Sequence, residues 1–74
     1  MSAPATPTLN AAMRRVSAAY EQLPGSCRPD IDGPGWCKRE DAIDAAYRAR
    51  DRERFNAAVA EWERFALSAF QEAR

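Results

Sequence analysis

The run Phe55-Asn-Ala-Ala-Val-Ala-Glu-Trp-Glu-Arg-Phe-Ala-Leu-Ser-Ala-Phe70 decides the fold class. Within it Phe55, Ala58, Val59, Trp62, Phe65, Ala66, Ala69 and Phe70 recur at intervals of three and four, the spacing that puts side chains on one face of an α-helix. Asp51 precedes this run as an N-cap, Glu53 falls in the first turn at the positive end of the helix dipole, and the spacing predicts a helix over residues 52–72. Glu61, Arg64, Ser68, Gln71 and Glu72 make its wet side. Leu67 lies off the apolar arc, near the polar face.

Working toward the N-terminus, residues 48–54 contain neither Gly nor Pro, so one continuous helix from residue 36 to residue 74 competes with two helices broken near Asp51. The order of late arginines followed by Asp51 is what two helix ends select, and it favours the break. A second helix is then expected over residues 36–50. Trp36, Ile43, Ala46 and Tyr47 turn inward; Lys38, Arg39, Glu40, Asp41, Asp44 and Arg48 turn outward, with Asp44 and Arg48 paired one turn apart. The second and third helices form an antiparallel hairpin.

Residues 24–35 carry Pro24-Gly25, Pro29, Gly33 and Pro34-Gly35, and read as a long Pro/Gly-rich loop. Ile31, between Asp30 and Asp32, is expected to drop into the core. Before the loop, Leu9, Ala12, Met13, Val16, Ala19, Tyr20 and Leu23 form another continuous stripe, with Thr6 as N-cap and Pro7 at the first helical position. Residues 1–6 read as a frayed tail and residues 7–74 as a single domain. The fold expected is an all-α, small three-helix bundle with the first helix packed on the hairpin.

Composition limits function. The chain has 74 residues, 46% apolar and 30% charged, which is globular composition. Eleven basic residues balance eleven acidic ones, so no global field draws the molecule toward nucleic acid or an anionic membrane. No apolar run reaches membrane-spanning length and no signal-peptide pattern opens the chain; the reading is a soluble, cytoplasmic protein without a membrane partner.

There is no histidine, no glycine-rich phosphate loop, no nucleophile elbow and no set of four zinc ligands. Cys27 and Cys37 supply two thiols only and are expected to stay reduced; a redox or metal role is the weaker reading. Asp30, Asp32 and Asp41 echo a calcium loop, but Pro34 occupies a ligand position, and turn aspartates in water explain them better. The carboxylate pairs lie on solvated faces, where nothing adjusts them for proton transfer. No catalysis, no cofactor and no small-molecule substrate are expected.

What remains is a non-catalytic binding or adaptor protein acting through contacts with another protein or with a second copy of itself. Leu67, Ala60 and Arg64, on the outward side of the third helix, are the candidate contact residues. The alternative is a nucleic-acid accessory protein. Arg48, Arg50, Arg52 and Arg54 alternate around the turn between the last two helices, and with Arg14 and Arg15 they offer planar forks suited to phosphate oxygens. Asp51 and Glu53 interleave the first four and dilute that field. Trp36 and Trp62, in phase with their stripes, are expected in the core rather than as stacking platforms.

Overall fold

A computed structural model gives the chain three α-helices: α1, Ala5–Glu21; α2, Pro34–Arg48; and α3, Arg52–Glu72; a 3₁₀ turn, Gly25–Cys27, lies between the first two. It describes residues 5–31 and 33–73, with side chains from residue 9 onward. No strand occurs among the described residues. Helix α3 has the bounds its periodicity and cap predict. Asp51 Oδ1 accepts a hydrogen bond from the Arg54 amide at 3.1 Å, which satisfies one of the donors left open at a helix start.

Helices α1 and α2 both begin earlier than expected. Thr6 lies inside α1 rather than capping it, and of the expected tail residues 1–4 lie outside the described residues. Pro34 opens α2 two residues before Trp36, because a proline at the first helical position gives up an amide that would have had no partner. The carbonyl of Gly33 receives the amides of Trp36 and Cys37, each at 3.1 Å.

The break between α2 and α3 is real and has a defined form. Ala49 ends α2, Arg50 takes the left-handed conformation with φ 56°, and two amides turn back: Arg50 to the Tyr47 carbonyl and Asp51 to the Ala46 carbonyl, each at 3.1 Å. This is a Schellman closure, with arginine where glycine is usual. A side chain in that conformation carries a steric penalty that glycine lacks. Arg50→Gly is therefore expected to raise stability by about 1 kcal/mol, read as a higher urea midpoint at unchanged slope. A lower midpoint would disprove the strain.

Helix α3 is the spine. Both α1 and α2 pack on it, and the backbones of α1 and α2 do not approach one another. Trp36 at the start of α2 meets Phe65 and Phe70 late in α3, while Tyr47 at the end of α2 meets Phe55 early in α3, so this pair is antiparallel. Helix α1 reaches the hairpin through α3 and runs parallel to it: Ala12 clusters with Phe55 and Val59, and Tyr20 lies 5.4 Å from Phe70. The result is an elongated, shallow body of 41 × 26 × 14 Å.

Two apolar clusters fill it. Val16, Leu23, Trp36, Ala66 and Phe70 form one, and Ala12, Ala46, Phe55 and Val59 the other. Half-buried Trp62 packs against both and joins them. One alanine from each helix, Ala12, Ala46 and Ala66, is almost fully covered. In the first cluster the edge of Trp36 meets Phe65 at 5.0 Å and its face stacks on Phe70 at 6.0 Å.

Three side chains expected inside are outside. Met13 is 48% exposed: the backbone of α1 lies close to that of α3 alone, and the arc it buries is narrow. Ile31 is 42% exposed: the loop passes over the surface without inserting it. Its neighbour Asp32, expected to stay wet, lies outside the described residues. Tyr47 is 64% exposed, since the buried arc of α2 is rotated and takes in half-buried Arg39 instead. Arg39, expected in water, folds its guanidinium 4.0 Å over the Phe65 ring and donates to the Gly35 carbonyl at 3.0 Å.

Candidate functional site

The Schellman closure aims its side chains away from the core and builds a concavity of about 530 Å³ at the elbow between α2 and α3. Ala46 and Phe55, both buried, form the floor; Tyr47, Arg48, Arg50 and Arg52 form the walls. The Tyr47 ring lies 5.9 Å from Phe55 at 52°, covering its edge and leaving most of its own surface in water.

The charges at the elbow are unequal. Arg48 pairs with Asp44 at 2.8 Å on the exposed side of α2, the contact expected from their spacing. Arg50 and Arg52 have no ion-pair partner among the described residues. The Asp51 carboxylate lines the concavity too, but it is turned onto the Arg54 amide as a helix cap.

Of the six arginines that the nucleic-acid reading selects, the elbow thus gathers Arg48, Arg50 and Arg52. Arg54 is exposed in the first turn of α3 and does not line the concavity. Arg14 lies on the outer face of α1 beside Met13. Arg15 is engaged elsewhere: its Nε and Nη2 both donate to the Glu63 carboxylate, the second bond at 2.8 Å, linking α1 to α3.

That fork holds the Glu63 carboxyl below the ordinary glutamate value of 4.5 through the hydrogen bonds from Arg15, and holds Arg15 above its own ordinary value. Because the folded carboxyl is the more acidic, its stabilising contribution is complete above about pH 4.5 and is lost as pH falls through the folded value. Arg15→Gln is expected to flatten the acid limb of a melting-temperature profile below that pH. A limb as steep as the wild type's would remove the pair from the account.

The other candidate contact residues fall on a different surface. Leu67, 38% exposed, and Arg64 line a shallow depression of about 560 Å³ between α1 and α3, together with Ala19, Ser68, Phe70 and Gln71. Ala60 is exposed one turn earlier on α3 and does not line it.

Cys27 is half-buried and Cys37 exposed, with no disulfide between them. No group of three or more Cys, Asp or Glu side chains is placed to hold a metal among the described residues, and no helix is long and apolar enough to cross a membrane.

Two further residues do work that spacing alone did not show. Arg28, from the loop, donates to the carbonyls of Leu23 and Glu21 at 3.2 and 3.1 Å and lies over the Tyr20 ring, closing the open end of α1. Gly35 leaves room for Phe65, whose ring would stand 3.0 Å from any added Cβ. No protein-family model matches the chain, and neither a curated protein nor a solved structure is found to be similar to it.

Proposed function

We propose that the chain is a non-catalytic binding module that docks onto another protein through the α2–α3 elbow. The observation that carries this is Tyr47: an aromatic side chain 64% exposed, beside a concavity and two arginines without ion-pair partners among the described residues. Tyrosine and arginine dominate the energetics of protein interfaces, because each buries a large area and keeps a directional polar group. Burying Tyr47 against a partner gains area without unpacking the core. The six candidate phosphate-reading arginines are spread over several surfaces and one is tied to Glu63, which favours a protein partner over nucleic acid.

The test is native affinity capture from the host with the wild-type chain and with Tyr47→Ala as baits. The expected result is a protein retained by the first and lost by the second, with both baits equally helical. Equal retention would overturn the elbow as the docking site. A second reading, pairing of two copies across the α1–α3 depression, is favoured by Leu67 and Arg64 lining it together. On that reading Leu67→Glu lowers the mass seen by light scattering without loss of helicity, and an unchanged mass eliminates it.

A further inference from the structure

We infer that the elbow takes an acidic segment of its partner, a short stretch in which carboxylates alternate with an apolar side chain; this rests on the docking reading above. The ligand chemistry follows from the lining. Arg50 and Arg52 face the concavity with no counter-ion among the described residues, and a guanidinium bonds a carboxylate through two parallel N–H donors. Arg48 is already compensated by Asp44 and contributes less. The Asp51 carboxylate, the acid nearest the arginines in the lining, accepts from the Arg54 amide and so is held by the helix start. Between the charges lies the open face of Tyr47, backed by buried Phe55, as the apolar contact for one side chain of the segment.

A nucleic-acid strand fits less well. A polyanion needs a track of cations along its backbone, whereas here Arg14 lies on the outer face of α1, Arg15 is bound to Glu63, and Arg64 lies in the α1–α3 depression. Two guanidinia at one tip match a pair of carboxylates.

Fluorescence anisotropy on the full chain tests this with a labelled short peptide repeating Asp-Glu-Leu, its uncharged Asn-Gln-Leu counterpart, and single-stranded DNA of comparable length. The acidic peptide is expected to bind, and to weaken as salt is raised. The double variant Arg50→Gly with Arg52→Gln is expected to bind it about tenfold more weakly, the size of two lost exposed ion pairs together. Arg50→Gly relieves strain, so this variant keeps its fold, as an unchanged or higher melting temperature would verify.

Binding of the uncharged peptide as tightly as the acidic one, undiminished binding by the double variant, or tighter binding of DNA each overturns the inference. If the acidic probe fails while host capture still depends on Tyr47, the acidic segment falls and the docking reading stands. If capture is indifferent to Tyr47, the docking reading falls and takes the inference with it.

Discussion

Replacing Phe70 with alanine is expected to remove about 3 to 5 kcal/mol of stability, the range for emptying a buried aromatic site. A domain of 74 residues holds on the order of 4–11 kcal/mol in total, so a large share of the margin goes. Phe70 is 3% exposed and is where α1 and α2 converge on α3, since its ring meets both Tyr20 from α1 and Trp36 from α2. The cavity therefore opens against both neighbours at once. Urea melts followed by circular dichroism should show a transition displaced to very low denaturant or lost. Phe70→Leu, which keeps most of the volume, should cost less than half as much. A wild-type midpoint in Phe70→Ala would mean that the helices do not converge there.

Phe55→Ala should cost nearly as much, about 3 to 4 kcal/mol, because that ring is 3% exposed and holds Ala12, Ala46 and Val59 together. Its contact across the elbow, Tyr47, makes the contrast. At 64% exposure Tyr47 has little to lose on folding, and Tyr47→Ala should stay within about 0.5 kcal/mol of wild type. The two rings are 5.9 Å apart, so a pair of melts separates a structural aromatic from one left for another purpose. Similar losses in both would place Tyr47 in the core and remove the basis for docking at the elbow.

Helix α3 was legible because three signals coincide in it: an unbroken stripe, a capping Asp51 and an acidic first turn. The break before it was legible from the order of charges, but its form was not, since a Schellman closure normally announces itself with glycine and here carries Arg50. Periodicity showed that α1 and α2 each have an apolar side without showing how wide it is. Width depends on how closely neighbouring helices approach, and α1, whose backbone lies close to α3 alone, leaves Met13 in water. In α2 the stripe admitted Tyr47 as readily as the true arc, because Arg39, with its guanidinium over Phe65, is half-buried and yet is counted as a charge. Through-space contacts such as Arg28 on the end of α1 and Arg15 on Glu63 have no local signature at all.

At the elbow the alternation of arginines was visible from the chain, whereas their convergence was not. Arg48, Arg50 and Arg52 line one concavity because the turn is tight and left-handed at its centre; an uninterrupted helix would have kept Arg48 and Arg52 on one face, a turn apart, and turned Arg50 to the opposite side. Tyr47 was misplaced for the same reason that makes it informative: its sequence position fits a core, and its surroundings supply none.

Because the backbones of α1 and α2 both pack on a shared spine and do not approach each other, the order of assembly is set by chain distance. The hairpin closes across a few residues, whereas the contact between Arg15 and Glu63 joins positions 48 apart and requires the loop to be drawn in first. Amide protons of α1 should consequently exchange with solvent faster than those of α3. Each departure of α1 uncovers one flank of α3, with Val59, Ala66 and Phe70 briefly open to proteases or to chaperones.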